Sequence, residues 1–470
     1  MGVQSTFVFR HDGLGPEVSR LTEALAGGGG FVDVETLAGR VLFCSPLIAG
    51  RTIYRDVIAL PNARRSYTHE PGCISVASPI AAAQLLRRKI EGAIDRALHG
   101  VSRVAVATGG GLDSAALLAL ANAWAQRTGG TAFGVALDFE SIGDDRPHLR
   151  ALQAYLGCEV MRVRPEAAAS RCEAFERGVD AAPLTWPSGT MEIELLVQAR
   201  AAGAEVVLSG AGADELFDGD PRSFAAVMRA GRVSNAVREV RRLRGFDRPR
   251  SSVASWLLRP LVSSMVPVGL RRLRARGSEP SMPPWVGPRL EKVMRTWHAI
   301  ELERTLGTSP VPEAQRQPSP PSSHHEQLLW LRHQQEVAAD LERRDPYLDG
   351  ELIEFVRGLP PYWLLTGGRR RGLFREAMRG VLPESVRLRD DKAGFEPALA
   401  RFVSAIGGHQ RLRPLADVRY LADLGIVRPR AFEDDFQAFV SSLETSDAWS
   451  TVWPALAVES FLRSRDGGLS

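Results

Sequence analysis

The stretch "VAVATGGGLDSAALLALANAWA" (Val104–Ala125) brings together residue types that could do chemistry. An apolar run ends at Thr108, and Gly109, Gly110 and Gly111 follow it. Leu112, Asp113 and Ser114 then open an Ala/Leu-rich segment that reads as helix. Glycines let backbone N–H groups close on a ligand, and a helix N-terminus adds partial positive charge, so the unit predicts an anion site. It is neither GxGxxG nor GxxxxGK[ST], because no lysine follows. A carboxylate beside a phosphate repels it unless a divalent cation stands between, so Asp113 implies Mg2+. A tight turn with an N-capping aspartate would account for the same residues.

A second stretch, "VVLSGAGADELFDGD" (206–220), repeats the arrangement. A strand runs through Ser209 into Gly210 and Gly212, and Asp214 and Glu215 follow. Ligands of parallel sheets bind beyond the carboxyl ends of the strands. Asp113 and Asp214 are therefore expected to face one another across a bound nucleotide and hold one metal. An acidic helix N-terminus explains either aspartate alone, but hardly both.

These motifs need elements to carry them. Residues 1–80 read as short strands broken by turns: "STFVFR", "GRVLFCSP", "RTIYRDVIALP" and "GCISVASP". From about Pro79 helical and strand patterns alternate. The strands are "VSRVAVAT", "TAFGVALDF", "CEVMRVRP" and "AEVVLSG", which predicts a parallel sheet covered by helices on both faces. After residue 216 the strand signal stops and helical patterns continue. Within that half, 232–276 holds twelve arginines against two acids, read either as a solvated helical face or as a docking surface for an acidic substrate. Residues 307–325 are Pro/Ser-rich and read as a loop, and His324-His325 within it as non-metal.

No apolar run is long enough to cross a bilayer, and no secretory signal pattern opens the chain. Cys44, Cys73, Cys158 and Cys172 show no CxxC spacing, which fits a reduced, cytoplasmic protein. Of 59 basic residues only Lys89, Lys292 and Lys392 are lysine, so each is a candidate for a role arginine cannot fill.

Four stretches together resemble the synthetase half of the asparagine synthetase family, within the PP-loop ATP pyrophosphatases. Its SGGxDS motif is similar to Gly109–Ser114, its SGxGxDE motif to Ser209–Glu215, and its ExRxPYLD motif to Glu342–Asp349. Its LR…LP…R.K.GF stretch is similar to "LFREAMRGVLPESVRLRDDKAGFEP", which contains Lys392. The resemblance spans 81–470 and implies an α/β, doubly wound parallel sheet with a helical C-terminal half, preceded by a short β-rich domain over 1–80. It implies ATP and Mg2+ as cofactors. ATP would be bound by Thr108, Gly109, Gly110, Gly111, Leu112, Asp113, Ser114, Ser209, Gly210 and Gly212, and the metal by Asp113 and Asp214. Lys392 would face the pyrophosphate, and Glu342 would be the base that takes the amine's proton. A solvated surface lysine and an ion pair with Arg343 or Arg344 are the respective alternatives.

Departures narrow the activity. Gly2 stands where glutamine-dependent members have cysteine, and about 80 residues are too few for a glutaminase domain, so the amine is expected to come from the substrate. Ala211 replaces the Glu or Tyr of relatives, Gly109 the first motif's Ser, and Arg371 the usual Lys. This pattern resembles the β-lactam synthetases and the lasso peptide macrolactam synthetases. The expected reaction is ATP-dependent closure of an isopeptide ring in a precursor peptide. A leader peptidase and a leader-binding protein are the partners such a reaction implies. A small-molecule amide or β-lactam synthetase and a degenerate nucleotide-binding relative are the alternatives. Nucleic acid is disfavoured, because no Cys pairs or added RNA-binding domain show.

Overall fold

The computed structural model describes residues 7–11, 17–26, 30–42, 50–61, 76–141, 143–220, 223–229, 231, 233–242, 279–307, 323–391 and 393–465, with isolated positions between 266 and 277. Its centre is a five-stranded parallel sheet of β3 (Arg103–Ala107), β4 (Thr131–Leu137), β5 (Val160–Val163), β6 (Val206–Leu208) and β7 (Glu342–Arg344), ordered β5-β4-β3-β6-β7. β3 and β6 are buried along their apolar runs because helices cover both faces. The chain moves outward from β3 through β4 to β5, then returns to place β6 on the other side of β3. The carboxyl ends of β3 and β6 therefore lie side by side at a topological switch point, the place in such sheets where ligand crevices form.

Local chemistry sets the helices on this sheet. Pro79–Ala97 begins on Ser78, whose hydroxyl accepts from Ala81 N–H at 3.2 Å, with proline in the first turn. Leu112–Thr128 ends on Gly129 at φ 77°, a left-handed cap. It is buried almost all round, as its unbroken Ala/Leu run requires.

Three expectations are corrected. β7 was not visible as a strand: three polar residues, Glu-Arg-Arg, lack the apolar signal, and the strand forms because it lies at the sheet edge and pairs with β6 on one side. The end of "GRVLFCSP" that is described, Gly39–Val41, closes a helix (Val34–Val41) whose start is capped by Asp33, which accepts from Glu35 N–H (3.1 Å) and Thr36 N–H (3.2 Å). His324 and His325 lie in a helix, Ser323–Ala339, rather than a loop.

The N-terminal part forms an antiparallel pair, β1 (Phe7–His11) and β2 (Val57–Pro61). Its apolar residues do not make a core of their own. Phe9, Leu37, Val41, Ile53 and Val57 merge with Trp285, Phe402, Phe432, Trp453 and Phe461 from the C-terminal half. A second core lies under the sheet, around Ile90, Val104, Leu117, Leu208 and Phe374.

Asp180 fastens the N-terminal part polarly as well. Its carboxylate accepts from Leu21 N–H (2.7 Å), Thr22 N–H (3.0 Å) and the Thr22 hydroxyl (2.8 Å), and lies 2.7 Å from His333 Nε2. Burial pushes its pKa up, but the His333 contact and the two amides outweigh burial and hold it below the ordinary carboxylate value. A depressed carboxylate stabilises the fold above its unfolded pKa, and that contribution fades as pH falls through the folded value. Asp180→Asn suits the left-handed backbone there (φ 48°) and should cost about 2 kcal/mol at neutral pH. The gap in melting temperature from wild type should close on acidification below about pH 4; a gap that does not change with pH refutes the account.

Candidate active site

The loop after β3 is shaped by its glycines and stapled by its own serine. Gly110 has φ 72°, and a Cβ there would meet Asp145 O at 3.0 Å, so only glycine fits without displacement. The Ser114 hydroxyl accepts from Gly109 N–H at 3.3 Å and lies 3.3 Å from the Thr108 hydroxyl. Gly111 is the N-cap of Leu112–Thr128 with no side-chain cap, and nothing lies within 4 Å of where its Cβ would be. A seventeen-residue helix thus begins without a side-chain cap, and the space beside Gly111 is open.

The loop after β6 comes against it. The α-carbon of Gly210 faces Asp113, since a Cβ there would sit 3.6 Å from Asp113 Cβ. Gly212 has φ 87°, and a Cβ would overlap Leu348 Cδ2 at 2.4 Å. The Ser209 hydroxyl donates to Asp345 Oδ1 at 2.6 Å and accepts from Ala211 N–H at 3.3 Å. Asp345 is held in turn by the buried Arg332, which also pairs with Glu336 at 3.1 Å. The Tyr347 hydroxyl, pushed well above its usual pKa by burial, donates to the Asp113 carbonyl at 2.8 Å.

The structure brings Asp113 and Asp214 onto one side chain, that of Arg371. The Arg371 guanidinium donates through Nη1 to Asp113 and through Nη2 to Asp214, and its Nε lies 3.4 Å from Asp218 Oδ1. Its neighbour Arg370 reaches Asp218 Oδ2 at 3.3 Å.

Arg389 was missed. Its side chain is almost wholly buried, donates to the carbonyls of Gly110 (3.3 Å) and Gly143 (2.5 Å), and pairs with Asp145 (2.5 Å) and Asp391 (2.7 Å). Burial raises the pKa of Asp145 despite this partner, and a hydrogen bond from Arg389 lowers that of Asp391. No motif spacing marks Arg389; its only signal is a position three residues before Lys392. Lys392 itself lies outside the described residues, as does most of the arginine-rich 232–276.

Glu342 is not brought to this crevice. It opens β7 opposite Val206, which pairs with Val104, so it sits at the amino-terminal side of the sheet. Thr108 is four residues further on, about 13 Å along the strand. Arg344 grips the Glu342 carboxylate through Nε and Nη2, at 2.9 and 3.0 Å, and donates through Nη1 to the Ala97 carbonyl. The ion-pair alternative describes this residue; a base in contact with the crevice does not.

The donor set fits a magnesium-bound polyphosphate. Asp113 and Asp214 come from different strand tips yet reach one cation, the guanidinium, and hard carboxylate oxygens suit Mg2+. The uncapped amides and the space above Gly111 suit phosphate oxygens. Mg2+ would be held by Asp113 and Asp214, and phosphates by the amides of 109–112. Among the described residues no helix is long and apolar enough to cross a membrane.

No curated protein matches the chain. The family model described as asparagine synthase matches residues 85–463, from the helix before β3 to the last helix described. With four-fifths of its length so matched, and with the parallel sheet and its two acidic strand tips in place, the chain belongs to the asparagine synthase family, whose members are ATP-dependent ligases.

Proposed function

We propose that the protein is an AMP-forming carbon–nitrogen ligase that closes a macrolactam in a peptide. One observation carries the reading: acids from two adjacent strand tips converge on a single cation beside an uncapped helix N-terminus. In the first step a substrate carboxylate oxygen attacks the α-phosphorus of ATP and pyrophosphate leaves, giving an acyl-adenylate. In the second an amine attacks the acyl carbon, AMP leaves, and the amine's proton passes to solvent. Mg2+, when bound, supplies charge neutralisation on the phosphates.

The chain's own residues do the positioning. The 109–112 amides orient the phosphates, Asp113 and Asp214 set the reach of the metal, and Lys392 is assigned to the leaving pyrophosphate. Arg389 anchors the segment that carries Lys392 directly to the phosphate loop. A peptide substrate is supported by the arginine-bearing helix Val233–Arg242, whose last carbonyl lies against Gly368, three residues from Arg371. An acidic or extended substrate entering the crevice would pass this helix.

Substrate-dependent release of pyrophosphate and AMP tests the ligase chemistry. A peptide losing one water's mass in the presence of ATP tests ring closure, and its absence with any peptide while a small amino acid reacts would overturn the peptide assignment. Glu342→Gln should leave the ratio of the two steps unchanged, because its carboxylate serves Arg344 at the far end of β7. A selective slowing of amide closure in rapid-quench kinetics would restore Glu342 as the base.

A further inference from the structure

Arg371 stands in a backbone conformation that arginine seldom adopts. Its φ is 56°, in the left-handed region, and it follows Gly367 (φ 74°) and Gly368 (φ 72°) across the extended Arg369. The turn is tight: a Cβ on Gly372 would fall 1.8 Å from the Thr366 carbonyl oxygen. Arg371 N–H donates to the Asp218 carbonyl at 3.4 Å, so the backbone is clamped at both ends of the residue. A non-glycine residue held this way marks a place where the side chain's position matters more than local backbone comfort.

That side chain is the cation on which Asp113 and Asp214 converge. Two carboxylates this near each other repel unless a positive charge stands between them, and a guanidinium never loses its charge. Asp113 is mostly buried, whereas Asp214 is 57% exposed, so the cluster opens to solvent on the Asp214 side. A metal ion arriving there needs the same two carboxylates that the guanidinium now holds.

We propose that Arg371 is a resident counter-cation for the metal-binding acids, exchanged for a magnesium-bound polyphosphate when it enters. The inference rests on the function proposed above. With the backbone fixed, the long side chain turns from the carboxylates to a phosphate oxygen, and the acids pass to the metal. Arg371 is thus a positioning residue with two stations. Metal without phosphate gives the guanidinium no second station, so the free protein discriminates against bare divalent ions and accepts them together with a polyphosphate.

The test measures Mn2+ binding to the full chain, without nucleotide, by electron paramagnetic resonance. Arg371→Asn removes the charge and suits the left-handed backbone. It should bind Mn2+ about 10-fold or more tightly than wild type. Adding pyrophosphate should enhance Mn2+ binding in wild type and much less in the variant. Arg371→Lys, whose single ammonium cannot bridge both acids, should fall between, and it decides the matter alone if Arg371→Asn does not fold. In Arg371→Asn combined with Asp214→Asn the gain should vanish.

Unchanged Mn2+ affinity in the folded single variants, or a gain that survives loss of Asp214, overturns the proposal. ATP–pyrophosphate exchange by wild type is measured in parallel. Exchange with no Mn2+ gain sinks the counter-cation and leaves the ligase reading standing. A Mn2+ gain with no exchange under any substrate does the reverse.

Discussion

Asp113→Asn should lower substrate-dependent pyrophosphate release by at least ~10²-fold while leaving the fold nearly intact. The variant keeps the side chain's shape and removes only its charge, and with it one of the two oxygens available to a metal at the crevice. What Asp113 contributes to structure is mostly its backbone carbonyl, which accepts from Tyr347 and is untouched. Arg371 retains Asp214 and Asp218. The loss of an acid from the first turn of a helix costs only about 0.3–1 kcal/mol. Pyrophosphate exchange and a thermal melt check both halves, and near-normal exchange in a folded variant would remove Asp113 from the phosphate chemistry.

Arg389→Met should be strongly destabilising. It leaves the buried part of the fold similar in volume but strips partners from Asp145 and from the carbonyls of Gly110 and Gly143. Breaking a buried pair on one side costs about 3–5 kcal/mol. The deficit should depend on pH. Asp145 already has a raised pKa through burial, and losing Arg389 raises it further. A carboxyl whose folded pKa exceeds its unfolded value opposes folding where it is ionised, and that penalty disappears as pH falls below the folded value. Melts of variant and wild type should therefore converge as pH falls through the raised Asp145 value toward the ordinary carboxylate range, about pH 4; a constant gap would show that the lost hydrogen bonds, rather than the stranded carboxylate, carry the cost.

Much of this architecture is legible in the residues. β3, β4, β5 and β6 are apolar runs between helical stretches, and each glycine turn that follows β3 or β6 leads straight to an aspartate. Their convergence follows from β3 and β6 being neighbours in the sheet, an order that the alternation of elements does not itself give. β7 escapes because an edge strand of Glu-Arg-Arg needs no apolar face, and without β7 the level of Glu342 in the sheet cannot be judged. Arg371 and Arg389 escape for another reason. In a chain with so many arginines their type carries no signal, and apart from Asp391 the acids they hold lie 153 to 258 residues away in sequence. The glycines of "GGRRRG" and its standing where relatives have lysine mark Arg371, but neither tells which acids it meets.

The merging of Phe9, Leu37 and Ile53 with Trp453 and Phe461 has a consequence for biosynthesis. A ribosome makes the first partners several hundred residues before the second. Until the final helix emerges, those aromatic and aliphatic surfaces stay wet and adhesive, while the nucleotide crevice between can already assemble from contacts closer in sequence. Chaperone demand during translation should thus track the wait for the last helix rather than the difficulty of building the sheet.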